Sequence, residues 1–189
     1  VALVQHPFWC DAAAVLPNSQ LVYDCMDHHA GFGNTGETLV QLEKDLLCKS
    51  DLTITTSAWL DEAVAAHTRC HALIRNAGDF DHFSKAPDKV HRDPMGRRII
   101  GYYGAIAEWF DLDLVAGVAK RHTECCVMLI GADSINAKFK LGKLPNVIFT
   151  GEVPYSKLPY YLYGFDVCLL PFKIVPLTLA TNPVKAYEF

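Results

Sequence analysis

Apolar residues fall along this chain in short dense runs, and the runs alternate with stretches in which apolar positions recur every third or fourth residue. Val1–Val4, Leu21–Met26, Leu52–Thr56 and Leu73–Ile74 are apolar or β-branched runs of strand length. Between them, Leu39, Leu42, Leu46 and Leu47 give a helical spacing over 38–49. Ser57 predicts the N-cap of a helix through Trp59, Ala63 and Val64, with Asp61 and Glu62 in its first turn. A second series follows. Strands are predicted at 98–104, 126–131, 147–151 and 166–171, with helices at 111–122 and 156–163. Strands separated by helices imply mostly parallel sheets covered on both faces, an α/β class.

Between the two series the chain changes character. Residues 84–97 hold Pro87, Asp88, Lys89, Arg92, Asp93, Pro94 and Gly96, which reads as a polar linker. The expected division is therefore 1–83, a linker at 84–97, and 98–189. Both ends read as cut. The chain opens at Val1 inside an apolar run, and the helix pattern from Thr181 stops at Phe189 after roughly two turns.

Composition narrows the function classes. The formal net charge is −4 and no basic run of five residues occurs, so nucleic acid is not an expected partner. No apolar stretch nears the roughly 20 residues that a membrane helix needs. Seven cysteines without a C-x-x-C pair read as free thiols of a reducing compartment rather than a zinc site. His28 and His29 follow a strand beside Asp24 and Asp27, but adjacent side chains on a strand end point in opposite directions. No metal is assigned there. Asp27 is a candidate general base, or simply a turn carboxylate. Trp109, Phe110, Tyr160, Tyr161 and Tyr163 could stack on a sugar, but residues at helical spacing are more often core or interdomain packing, and that is the preferred reading.

In open parallel sheets ligands gather beyond the carboxyl ends of strands. There the chain places Gly104-Ala105, which lacks the G-x-G-x-x-G pattern of dinucleotide sites. The richest segment is Ala180-Thr181-Asn182-Pro183-Val184-Lys185-Ala186-Tyr187-Glu188. Thr181 or Asn182 predicts an N-cap, with Pro183 in the first turn. Helical spacing then sets Thr181, Lys185 and Glu188 on one face. Phosphates would meet a helix start and a cation, and a ribose diol would meet a carboxylate. A capped surface helix is the plain alternative.

At these residues the chain resembles retaining GT-B glycosyltransferases of teichuronic acid, capsule and exopolysaccharide synthesis. The matching segments are 22–27 (Val-Tyr-Asp-Cys-Met-Asp), 76–83, 100–111, 145–151 and 181–189. The resemblance implies two Rossmann-like domains with parallel sheets, both incomplete. Residues 1–83 would end the acceptor-side domain, and 98–189 would open the donor-side domain. It implies a UDP- or GDP-type nucleotide-sugar donor as substrate, with no separate cofactor and no divalent metal. The acceptor would be a glycan or a lipid-linked sugar. The location would be cytoplasmic, with peripheral contact at the inner membrane face left open.

Carried over, Gly104 and Ala105 would lie at the donor diphosphate, Thr181 and Asn182 at the phosphates, Val153-Pro154 at the base, and Glu188 on the ribose. Lys185, helped by Lys173, would supply the positive charge, because residues 105–111 hold none of the basic residues common in relatives. Two further departures are Ala180, where an E-x7-E pattern would put its first glutamate, and Met26, where many relatives have histidine. The catalytic roles then pass to Asp27 and Lys185. Two other readings stay open: a nucleotide-binding module without catalysis, and a sugar-nucleotide epimerase of the same architecture.

Overall fold

A computed structural model describes all 189 residues. The chain separates into two compact units, residues 1–76 with 174–183, and residues 77–173 with 184–189. The polar stretch 84–97 thus belongs to the second unit.

The first unit runs β1 (Ala2–Val4), α1 (Cys10–Ala14), β2 (Leu21–Cys25), α2 (Glu37–Lys49), β3 (Leu52–Thr55), α3 (Ala58–Val64) and β4 (His71–Leu73). The four strands form one parallel sheet in the order β1-β2-β3-β4. Parallel pairing follows from the helical crossovers, which return each strand in the same direction. Val4, Cys10, Leu21, Tyr23, Leu46 and Leu60 form its core. Burying β3 requires partners for its hydroxyls. Thr53 meets the Thr68 hydroxyl at 2.8 Å, and Thr55 donates to Asp61 at 2.8 Å. Ser57 caps α3 as expected, accepting from the Leu60 amide. β4 lies earlier than the Leu73–Ile74 run suggested, because Thr53–Thr55 pair with His71–Leu73.

The second unit runs α4 (Phe80–Phe83), β5 (Ile99–Tyr103), α5 (Leu112–Arg121), β6 (Cys126–Ile130), α6 (Ala137–Leu141), β7 (Val147–Gly151), α7 (Leu158–Leu162) and β8 (Val167–Cys168). Its parallel sheet has the order β7-β6-β5-β8. Every residue of β5 and β6 is buried, the pattern of a sheet covered on both faces. One face packs Ile100, Tyr102, Val127 and Leu129 on α5, and the other packs Ile99, Tyr103, Met128 and Ile130 on α7. Gly101 is required in β5, since a Cβ there would overlap the Phe165 ring. β8 is shorter than the 166–171 run. Asp166, which opens that run but precedes β8, uses its side chain to accept from the Ile99 amide, and Pro171 has no N–H to offer.

The stretch before β5 is fastened rather than loose. Buried Asp93 accepts from the Met95 and Arg97 amides and from the Arg97 guanidinium, whose hydrogen bonds hold its carboxyl well below the usual range. The remaining chain gives α8 (Pro176–Leu179) to the first unit and α9 (Lys185–Glu188) to the second. No helix is long and apolar enough to cross a membrane.

Candidate functional site

In the second unit, β5 and β6 both end on glycines with positive φ, Gly104 at 135° and Gly131 at 137°. An L side chain is strained in that region. Each position is also sterically closed. A Cβ on Gly131 would strike the Gly104 carbonyl, and one on Gly104 would strike the Lys185 side chain. Two strand ends and one lysine therefore stack with no room for substituents. The Gly104 amide donates to Ile130 (2.8 Å), the Ile106 amide to Ala132 (2.8 Å), and the Tyr102 hydroxyl to the Ala105 carbonyl (2.8 Å). The Gly104-Ala105 loop is thus held from both sides by hydrogen bonds within the unit.

Beside this loop lies a cavity of about 180 Å³, lined by Tyr103, Gly104, Ala105, Gly131, Glu152 and Val153 among others. A larger one, about 810 Å³, opens at the amino ends of the strands near Arg98, His122 and Asp166. The smaller is the better candidate. It lies at the carboxyl ends, where parallel sheets leave loop backbone free to meet ligands.

Lys185 and Glu188, on the single turn of α9, bring opposite charges to this end of the unit. The Lys185 side chain lies over Gly104, with its Nζ 5.8 Å from the centre of the Tyr103 ring. Burial lowers its pKa. Glu188 accepts from the Tyr155 hydroxyl at 3.4 Å. Burial raises its pKa, while nearby Asp79 raises it further and His82 opposes the shift. Both ionic forms are thus held at some cost, which is common where charge is kept for a ligand. Val153 packs against the core beside α7, and Pro154 leads into the turn Tyr155–Lys157.

The sequence places Thr181 and Asn182 at a helix start on the same face as Lys185 and Glu188. That expectation is corrected. The helix begins at Lys185 with Val184 as its cap residue, and no side chain caps it. The Thr181 hydroxyl donates to the Leu177 carbonyl instead (2.9 Å). The Asn182 side chain accepts from the Asn76 amide (2.9 Å), and Asn76 donates back to the Asn182 carbonyl (2.6 Å). Thr181 and Asn182 belong to the first unit, as does Asp27, which follows β2. The structure therefore gathers Gly104, Ala105, Val153, Pro154, Lys185 and Glu188 in one unit, and leaves Asp27, Thr181 and Asn182 in the other. A single turn presents little macrodipole, so the start of α9 adds little to the charge that Lys185 brings.

Sequence reasoning missed His82 and Tyr155, which adjoin Glu188. They stand far apart in the chain, and no spacing rule links them. The two histidines after β2 are part of an aromatic cluster. His29 lies edge-on to His6 (5.1 Å), and His28 edge-on to Trp59 (4.8 Å).

No protein-family model matches the chain. It is 25% identical over 190 residues to TuaH of Bacillus subtilis (strain 168), a protein named for glycosyl transfer in teichuronic acid biosynthesis; the alignment covers 90% of this chain and 48% of that protein. Sucrose-phosphate synthase from Thermosynechococcus elongatus superposes with a TM-score of 0.69 at 17% identity, over 95% of this chain and 54% of that one. HepE of Anabaena, solved with UDP and glucose, gives 0.65 at 15% identity, over 88% and 51%. With its two four-stranded parallel sheets, the chain has the fold of GT-B glycosyltransferases. It spans about half the length of the relatives it matches.

Proposed function

We propose that this chain is part of a glycosyltransferase, and that its second unit grips the nucleoside diphosphate of a UDP- or GDP-type sugar donor. The observation that carries the reading is the arrangement at α9. Lys185 lies on the ligand-ready backbone of Gly104, and Glu188 stands one turn further on. A nucleoside diphosphate needs a cation near its phosphates and an acceptor for its ribose diol, and these two residues supply them in that order. The base would rest at Val153-Pro154, beside the cavity.

In this reading the chemistry is electrostatic. As the sugar departs, negative charge grows on the diphosphate, and a cation already fixed beside it lowers the barrier without reorganising. Transfer with retention, to a cell-surface polysaccharide or lipid-linked acceptor, is proposed from the sequence resemblance and from the name of the B. subtilis relative. A catalytic role for Asp27 rests on the resemblance alone. Location on the cytoplasmic side, with peripheral membrane contact, is likewise part of the proposal.

The test is a titration of UDP, GDP and NAD by calorimetry, with Glu188→Ala alongside the wild-type chain. Loss of a carboxylate–diol pair is expected to weaken UDP or GDP binding by about tenfold to a hundredfold. Equal affinity in variant and wild type, or a preference for NAD, would remove the reading.

A further inference from the structure

We infer that Tyr155, braced by His82, is a positioning residue that sets the Glu188 carboxylate for a ribose cis-diol. The inference rests on the donor-binding reading above and concerns what holds its carboxylate in place.

Glu188 ends a helix of only four residues, which cannot by itself fix a long flexible side chain. Two other segments restrain it. The Tyr155 hydroxyl donates to Glu188 Oε1 at 3.4 Å, a loose hydrogen bond with room to tighten. Tyr155 is in turn held on three sides. The His82 ring stacks on its ring at 4.7 Å and 17°, and the Phe83 ring meets it edge-on at 5.5 Å. His82 Nε2–H donates to the Tyr155 carbonyl at 3.1 Å, so the ring and the backbone of Tyr155 are anchored by one imidazole. That imidazole is fixed by α4, whose cap Asp79 accepts from the His82 amide.

The second restraint is Gly78. A Cβ there would sit 3.0 Å from the Tyr187 carbonyl and 3.1 Å from Glu188 Cγ, so the chain before α4 lies directly against α9. Half-exposed tyrosines seldom need a partner, yet this one spends its hydroxyl on a carboxylate already disfavoured by burial. The titratable groups facing Glu188 are Asp79, His82 and Tyr155. Lys185 turns to Gly104 and Tyr103 instead. A hydroxyl donor aimed at one carboxylate oxygen leaves the other for the ligand, and biases the group toward its ionised, diol-accepting form.

The test uses Tyr155→Phe in the full chain, which keeps the ring stack and removes only the hydroxyl. UDP binding is expected to weaken about fivefold. Binding of 2′,3′-dideoxy-UDP, which lacks the diol, should not change. The acid limb of UDP binding should also move to higher pH, because removing a donor from the carboxylate raises its pKa. In a Glu188→Ala background, Tyr155→Phe should have no further effect. Equal weakening of both ligands, or an unchanged UDP affinity while Glu188→Ala weakens binding, overturns the inference and leaves the donor reading intact. Unchanged UDP affinity in Glu188→Ala overturns both.

Discussion

A lysine partly withdrawn from water is disfavoured in its charged form, and Lys185 is held that way against Gly104 and Tyr103. Its folded-state pKa lies below the unfolded value of about 10.4, so the folded chain binds fewer protons than the unfolded chain over the interval between them. The resulting penalty is fully present at neutral pH and disappears as pH rises past the unfolded value. Lys185→Met should therefore raise the melting temperature of the ligand-free chain at pH 7, with the gain shrinking toward about pH 10.4. The same change should weaken UDP binding by tenfold or more, since a charged contact to phosphate is lost. A melting series across pH, paired with calorimetry, checks both signs. At this scale the helix that carries both Lys185 and Glu188 was readable from their spacing, while the roles of these residues and of Gly104 belong to the proposal. Tyr155 and His82 were not, because what matters about them is a contact among residues 82, 155 and 188. Asn182 misled for a related reason: a good capping side chain is engaged by Asn76, a tertiary partner that local rules cannot see.

Elements were legible in proportion to their length. β5 and β6, buried along their whole length, stood out as apolar runs, and α2 and α5 carried more than two turns of helical spacing. The short α1, α4, α6 and α8, each of four or five residues, left no periodic signal. One feature of β5 was hidden in plain view. Gly101 sits mid-strand, where glycine is ordinarily a weakness, and the reason is the Phe165 ring lying across it. Gly101→Ala should force that ring and β8 outward and destabilise the second unit by about 1–3 kcal/mol. Urea unfolding followed by tyrosine fluorescence would register it as a lower midpoint. A midpoint equal to wild type would mean that the ring can be displaced freely.

Across the whole molecule, the sequence conveyed two α/β series, but not which residues each compact unit would claim. The units also differ in how they should respond to acid. Burial lowers the pKa of His28 and His29 in the first unit, with His6 lowering His29 further. For such groups the folded state binds fewer protons than the unfolded one. Stability is complete above the unfolded value of about 6.5 and falls as pH drops from there through the folded values. The first unit should loosen in mild acid, seen as faster amide exchange in β1, β2 and α2 once intrinsic rates are corrected. His29→Phe, which keeps an aromatic ring against His6 and Phe32, should flatten that dependence.

The division of the chain has a bearing on how it is made. Ala180, fully buried in the same cluster as Val4, Cys10 and Leu46, belongs to the first unit although residues 77–173 of the second lie between. A ribosome delivers the strands of the first sheet long before it delivers the segment that closes their interior. A nascent chain paused anywhere in that interval would hold one corner of its first sheet open to water, and completion of the earlier unit would have to await translation of the later one.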